Sequence, residues 1–331
     1  MKKTLVAIAA LSAISAFAQS SVTLSGTLDP SIATSNTTYG NGTSVSNSFV
    51  RNNSQGTSQI TFTGVEDLGG GLKASFRYEG DFTVATGAGV SNSIGGSGGD
   101  IFAALEGGFG KIYIGTPNTP SLSVQAARNF IGTKIGSGFG GVSGSGHVRE
   151  NGSVRYDSPV FGGFSGVVYY TFGSSSVSAA NTGGAATAEV NPKTDIGLFY
   201  NNGPISAGLS FYNQDGVNSQ TNLSASYNLG VAKVYLGYHT EDKKPGSSRG
   251  YNLAADFNVS PSLVVYGNYG ILDDETTANL DRKIAALGAK YSLSKRTSVY
   301  TRYVNEQNDN VNSASAIRSV NTFLAGVQHN F

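Results

Sequence analysis

The sequence predicts an all-β protein, a 16-stranded antiparallel transmembrane β-barrel. Three observations predict it. Side chains alternate between apolar and polar with a period of two along most of the chain, the connections alternate between short and long, and the last segment alternates up to a terminal aromatic residue. The composition agrees, because 45 Gly, 17 Tyr and 17 Phe accompany only 13% charged residues in 331. Many Gly and Tyr with few charges fit repeated strands and turns better than a cytosolic enzyme.

The alternation defines the strands. Residues 73–79 place Ala74, Phe76 and Tyr78 on one face and charged or polar side chains on the other. Such a pattern is typical of a strand with one apolar and one polar face. About sixteen segments of this kind occur, and they start near residues 21, 57, 72, 100, 110, 148, 163, 191, 204, 218, 230, 247, 261, 279, 296 and 319.

The connections between these strands are of two kinds. Short ones are rich in Gly, Pro, Asn and Ser, which is turn chemistry. Long ones are expected over residues 36–54, 85–99, 117–146, 173–191 and 273–279. Short turns at one end and long loops at the other are the signature of an outer-membrane barrel, and a closed barrel leaves no unpaired strand edge in lipid.

A soluble β-sandwich or a repeat-rich adhesin is the rival fold. Its apolar face would carry bulky side chains packed as a core. Here the apolar face also contains Gly, Ala, Thr and Tyr, and the opposite face is polar throughout. That distribution favours a lipid-facing exterior and a wet lumen.

The first 18 residues have the pattern of a secretory signal peptide. Lys2 and Lys3 precede an apolar stretch, and Ala16-Phe17-Ala18 forms a small-x-small cleavage site. Residues 19–331 then form the barrel. Removing Lys2 and Lys3 leaves 20 basic against 21 acidic residues, which gives no signal for nucleic-acid binding. The chain has no Cys, so disulfides and thiolate chemistry are excluded.

Several blocks carry a family resemblance. They are Ser21-Val22-Thr23-Leu24, residues 64–74 (GVEDLGGGLKA), Val154 to Pro159 with Phe161-Gly162-Gly163-Phe164, residues 293–297 (LSKRT), and the end from Gly326 to Phe331. Together and in this order they resemble the general trimeric porins of Gram-negative bacteria, in particular the β-proteobacterial branch that includes the neisserial-type porins.

The resemblance implies an outer-membrane homotrimer that lets small hydrophilic solutes and ions diffuse passively. It implies that the third long loop, residues 117–149, folds inward as a constriction. It also implies that Phe331 is an assembly signal read by the barrel assembly machinery, so lipid, sister subunits and that machinery are the expected partners. Three positions where family members often carry Arg hold Gln59, Gly115-Thr116 and Gln328 instead. A weak anion preference is therefore expected.

The candidate constriction residues are basic. No Asp or Glu occurs between Glu106 and Glu150, so the third loop is free of acid. A pore selects by its diameter and by the charge at its narrowest part. The hypothesis is a net positive throat formed by Arg77, Arg128, Lys134, Arg149, Arg155 and Arg302. The alternative is that these are solvated wall charges, with Arg77 offset by Glu79 and Arg155 by Asp157.

A barrel could also serve as a hydrolase or as a structural or adhesive protein. A barrel hydrolase needs a nucleophile, a base and an orienting acid, and only His147, His239 and His329 could serve as base. His239 is the one plausible candidate, and an enzyme is not expected. A structural or adhesive barrel would need a plugged lumen, whereas the inward parity is mainly small and polar. No cofactor or metal is expected, because Cys is absent and the three His are scattered.

Overall fold

The computed structural model describes residues 21–87, 99–138, 147–172, 191–243, 246–275, 281–309, 311 and 313–331. The predicted signal peptide lies outside these residues. The strands are β1 (Ser21–Leu28), β2 (Pro30–Tyr39), β3 (Ser44–Asn52), β4 (Gln59–Gly69), β5 (Leu72–Asp81), β6 (Ile101–Gly107), β7 (Gly110–Thr116), β8 (Ser153–Asp157), β9 (Phe164–Thr171), β10 (Lys193–Asn202), β11 (Ile205–Gln214), β12 (Asn218–Asn228), β13 (Ala232–Lys243), β14 (Ser247–Asn258), β15 (Leu263–Asp274), β16 (Arg282–Ser292), β17 (Thr297–Asn308) and β18 (Ile317–Asn330). One helix, α1 (Pro120–Ala126), lies between β7 and β8.

All 18 strands form one closed antiparallel sheet. Strands β1 and β2 are a single wall strand interrupted only at Asp29, since both pair with β18. Strands β3 and β4 likewise share one wall position, interrupted by residues 53–58, because β2 pairs with β3 and β1 pairs with β4. The wall therefore has sixteen strand positions, which confirms the predicted fold class. No helix among the described residues is long and apolar enough to span a membrane.

The last residue of the chain completes the closure. Gly26 and Phe331 exchange two backbone hydrogen bonds, each 3.0 Å long. The Phe331 ring covers Gly26 so closely that a Cβ at that glycine would lie 2.4 Å from the ring Cζ. A side chain at this position would displace the Phe331 ring or the backbone, so glycine permits this close contact. The terminal strand β18 therefore pairs with the first strand β1 and closes the barrel.

The two faces of the wall are inverted relative to a soluble protein. On β14 the Asn252 side chain is 6% exposed while its neighbour Leu253 is 59% exposed. The same alternation appears on β17, where Arg302 is buried and Tyr303 is exposed. Apolar side chains that point outward suit lipid, and buried polar side chains need partners inside the barrel. This pattern excludes the sandwich alternative, whose apolar face would be covered.

The prediction of a long loop over residues 36–54 is wrong. Strands β2 and β3 run through it and meet in a short turn. Thr34 bonds Ser48 and Thr38 bonds Ser44 across the pair, each at 2.9 Å. The segment has a loop-like composition because both faces are hydroxyl- and amide-bearing, so no apolar period marks it as a strand. Each of the other predicted long loops lies partly or mainly outside the described residues. The parts that are not described are residues 88–98, 139–146, 173–190 and 276–280.

Candidate functional site

The third loop contains a helix that the sequence pattern did not predict. Thr119 is the N-cap of α1, and its Oγ1 accepts a hydrogen bond from Leu122 N at 3.1 Å and donates one to the carbonyl of His147. Pro120 occupies the first turn, where its missing N–H costs nothing. The Thr-Pro pair was the available signal for a helix start. The Thr119 side chain therefore also links the N-terminal end of the loop to its C-terminal end at His147.

The loop follows the polar face of the wall. Its backbone and side chains bond buried polar residues on five strands from β10 to β17. The bonds are Ser121 N to Asp195 Oδ2 (2.9 Å), Gln125 Nε2 to Asn222 Oδ1 (2.9 Å), Asn252 Nδ2 to Arg128 O (2.8 Å), Asn268 Nδ2 to Gly136 O (2.8 Å) and Arg302 Nη1 to Ile135 O (2.8 Å). Polar wall residues thus satisfy the loop, and each bond fixes its path along the wall.

Basic and acidic side chains meet where the loop returns to the wall. Arg149 lies 3.6 Å from Glu79 and 3.4 Å from Asp100, and Arg77 lies 3.8 Å from Asp100 and also pairs with Glu79. Lys134 interacts electrostatically with Glu79 and Arg149 from the loop. We call Arg77, Glu79, Asp81, Asp100, Lys134 and Arg149 the charge cluster. It holds three basic and three acidic groups.

Two groups of the charge cluster lie outside the strands and have shifted pKa values. Burial raises the pKa of Asp100, and the nearby Arg149 opposes that rise. Burial lowers the pKa of Lys134, while Asp29 and Asp81 oppose the fall. Lys134 Nζ also donates to Thr57 Oγ1 at 2.5 Å.

Arg155 holds the start of the loop. Its Nε and Nη2 donate to the Asp157 carboxylate at 2.6 and 2.8 Å, and Nη1 donates to the Asn118 carbonyl at 2.7 Å. The guanidinium lies over the Tyr113 ring, 5.3 Å from its centroid. The ion pair with Asp157, which the two-residue spacing suggested, therefore forms, as does the pair between Arg77 and Glu79.

Two of the six predicted constriction residues, Arg128 in the loop and Arg302 on β17, are buried between the loop and the wall. Arg128 is 3% exposed, its Nε donates to Gln125 O at 3.1 Å, and it packs on Gly237, where a Cβ would collide with it. Burial lowers the pKa of Arg128 to about 10. Arg302 is 0% exposed and donates to Tyr266 and to loop and wall acceptors. The other four, Arg77, Lys134, Arg149 and Arg155, keep partly exposed surfaces.

The three histidines are engaged in packing. His239 is fully buried, with Nδ1 2.8 Å from Asn222 Oδ1. His147 stacks on Tyr212 with ring centroids 3.6 Å apart. His329 lies at the barrel seam, where its Nδ1 is 2.9 Å from Thr297 Oγ1. Among the described contacts, none of these rings is paired with both a nucleophile and an orienting acid.

Two cavities flank the loop. One of about 580 Å³ borders residues 133–138, which we call the loop tip, and is lined by Arg51, Lys134, Arg282, Lys283 and Glu306 among others. The other, of about 560 Å³, borders the base of the loop and includes Arg149 and Glu150. Both are lined by charged and polar groups. A closed barrel with an apolar exterior, a polar interior and charged cavities defines a membrane channel protein.

Comparison with known proteins identifies the class more closely. A family model described as Gram-negative porin matches residues 4–311. Outer membrane porin protein 32 of Delftia acidovorans is 31% identical over 361 residues, covering 99% of this chain and 95% of that protein. Major outer membrane protein P.IB of Neisseria meningitidis serogroup B is 29% identical, covering 90% and 91%. The solved structure of an anion-selective porin from Comamonas acidovorans has a TM-score of 0.75 and 25% identity, covering 95% of this chain and 100% of that one.

The chain belongs to the Gram-negative porin family. It is an outer-membrane channel for passive diffusion and not an enzyme. The family expected from the short sequence blocks is therefore confirmed.

Proposed function

We propose that the channel passes small hydrophilic solutes and ions with a weak preference for anions, and that residues 117–149 form its constriction. The observation that carries the proposal is the ladder of bonds from the loop to polar residues on β10 to β17. A loop held along that face narrows the lumen and brings its basic residues to the passage.

The charge balance supports a weak rather than a strong preference. The charge cluster is neutral in formal count. Near the loop tip, Arg51 and Arg282 face Glu306, while Lys283 pairs with Asp309 at 2.5 Å. The cavity there therefore keeps a small excess of positive charge, which attracts anions and repels cations over about a Debye length, ~8 Å at physiological ionic strength.

The buried arginines add to that excess. Arg128 and Arg302 make almost no contact with solvent, yet their charge is felt through a low-dielectric interior more strongly than through water. The similar Comamonas protein is an anion-selective porin, which agrees with this sign.

A planar-bilayer measurement tests the proposal. Purified protein in a potassium chloride gradient is expected to form stable channels. Their reversal potential should be small and should have the sign that indicates a preference for anions. A reversal potential on the cation side would overturn the charge argument. Conductance near zero would instead favour a structural or adhesive barrel with a closed lumen.

We further propose that the protein is exported with cleavage after Ala18, assembles as a homotrimer, and is inserted by an assembly machinery that reads Phe331. The mass of the mature protein locates the cleavage site. Native electrophoresis with and without heating shows the number of subunits. Deletion of Phe331 is expected to reduce the amount of folded barrel in the outer membrane, and unchanged insertion would contradict the assigned role.

A further inference from the structure

A second segment folds onto the polar face, between β3 and β4. Residues 53–58, which we call the internal knob, are built on the carboxylate of Asp29. Asp29 Oδ2 accepts hydrogen bonds from Gln55 N at 2.6 Å and Gly56 N at 2.7 Å, and Oδ1 accepts one from the Tyr300 hydroxyl. Asp29 is 0% exposed. The knob is therefore anchored through two backbone N–H groups to a buried carboxylate.

The entry and exit of the knob are also fixed. Asn53 is the one non-glycine residue of the described chain with a positive φ, 60°. Its side-chain oxygen accepts from Ser58 N at 2.7 Å, and Ser58 Oγ accepts from Asp29 N at 3.0 Å. Asn tolerates this left-handed conformation better than most residues. The six residues thus leave the wall and return to it between β3 and β4, and they place Gln55, Gly56 and Thr57 at a half-exposed tip.

The knob meets the third loop and the charge cluster. Arg302 Nη1 donates both to the knob carbonyl of Ser54 at 2.7 Å and to the loop carbonyl of Ile135 at 2.8 Å. Lys134, beside Ile135, reaches Thr57. Next to the knob in sequence, Gln59 Nε2 donates to Glu79 Oε2 at 3.0 Å. The knob therefore lies between the loop tip and the acidic side of the charge cluster.

We propose that the internal knob is a second element of the constriction, that Thr57 lines the passage, and that Arg302 is the positioning residue that holds the knob and the loop tip together. This rests on the proposed function of the loop as a constriction. Thr57 adds a hydroxyl beside Lys134, where a solute passes the charge cluster.

The chemistry of Arg302 suits a positioning role. A guanidinium presents five N–H donors in a fixed plane. Here Nη1 serves two carbonyls, Nη2 donates to Gln55 Oε1 at 2.7 Å, and Nε donates to Tyr266 Oη at 3.0 Å. A lysine keeps the charge but cannot reach this spread of acceptors. Since Arg302 is fully buried, replacing it with another basic residue changes the positions of the knob and the loop tip more than it changes the electrostatic field in the passage.

The first test places a charge on the knob tip. Thr57→Asp is expected to lower the anion-to-cation permeability ratio and Thr57→Lys to raise it. Each change should be about thirtyfold, the combined factor for one unit charge that acts in opposite directions on an anion and a cation about 4 Å away in water. Thr43→Asp and Thr43→Lys, in the exposed turn between β2 and β3, are the matched controls and are expected to leave the ratio near the wild-type value.

The outcomes separate the two proposals. Opposite shifts at residue 57 that are absent at residue 43 support the knob as part of the constriction. Equal ratios for both Thr57 variants and the wild type, in channels that conduct normally, overturn it and leave the loop proposal intact. Wild-type protein without conductance overturns the proposed function itself.

The second test concerns Arg302. Arg302→Lys is expected to raise the frequency of brief closures about tenfold, the factor for one lost hydrogen bond to a charged group, while the reversal potential keeps its sign. Arg296→Lys, in the exposed turn before β17, is the control and is expected to match the wild type. Heat-modifiable mobility on gels confirms that each barrel is folded. A folded Arg302→Lys channel with wild-type closures would overturn the positioning role.

Discussion

Removing one acid from the charge cluster gives a quantitative test of how this porin selects ions. Glu79 is buried, pairs with Arg77, accepts from Gln59 at 3.0 Å and lies 3.6 Å from Arg149. Glu79→Gln keeps the shape of the side chain and one acceptor oxygen but removes its charge. The charge cluster then changes from neutral to a net charge of about +1, and we expect the anion preference to increase.

The size of the increase follows from the geometry. Arg149 lines the cavity at the base of the loop, and Glu79 lies one contact behind it. An ion in that cavity is thus about 7 Å from the Glu79 carboxylate, where a unit charge in water changes its energy by about 0.6 kcal/mol. The change has opposite sign for the anion and the cation. The free-energy difference between the two ions should therefore change by about 1.2 kcal/mol, which raises the anion-to-cation permeability ratio about eightfold.

The assay is the reversal potential of single channels in a potassium chloride gradient at neutral pH. Glu66→Gln is the matched control, because it makes the same chemical change at an exposed position near the end of β4. We expect the control to differ little from the wild type. A Glu79→Gln channel with normal conductance and an unchanged ratio would refute the assignment of the charge cluster to the passage. A large shift toward cations would refute the sign of the electrostatic argument.

Two further predictions concern the titration of the charge cluster and the closure of the barrel. Because burial raises the pKa of Asp100 against the opposing charge of Arg149, its negative charge is lost as the pH falls through that raised pKa. The anion preference of the wild type should then increase toward acidic pH. Asp100→Asn should show the increased preference already at neutral pH and should lose this pH dependence. The same pH dependence of the permeability ratio in both proteins would contradict the role of Asp100. Gly26→Val should destabilise the folded barrel by about 1–3 kcal/mol, because its Cβ would lie 2.4 Å from the Phe331 ring and 2.6 Å from a backbone carbonyl oxygen. Urea unfolding measures this, with Gly108→Ala as the control since open space surrounds that glycine; equal midpoints for the two variants would show that the ring contact is not needed.

The architecture was predictable from sequence because one local rule governs it. A period of two fixes which side chains point to lipid, and the turn residues fix where each strand ends. The rule failed at β2 and β3, where Ser, Thr and Asn occupy both faces. The pattern carries no apolar period there, yet cross-strand hydroxyl pairs such as Thr34 with Ser48 form the strands all the same.

The site was predictable only in part. The period of two along the strands predicts that Arg77, Arg155 and Arg302 lie on the polar face. Glu79 and Asp157 follow two residues after the first two, on the same face, and were therefore expected as their partners. The spacing could not show that Asp100 meets Arg149 at 3.4 Å, because these residues come from different loops. Nor could it show that Arg302 is covered, since that burial depends on a loop 167 positions earlier in the chain. Contacts of this kind are set by the closed wall rather than by neighbouring residues.

The bonds that hold the third loop also set an order of events during folding. The loop reaches Asn268 across 132 positions and Arg302 across 167 positions. Neither partner is available until β15 and β17 have joined the sheet, and contacts between distant parts of a chain form slowly because their loop-closure entropy must be overcome first. In a nascent barrel that lacks its final strands the loop cannot make these bonds, so it takes its final position along the wall only after the C-terminal strands have joined the sheet.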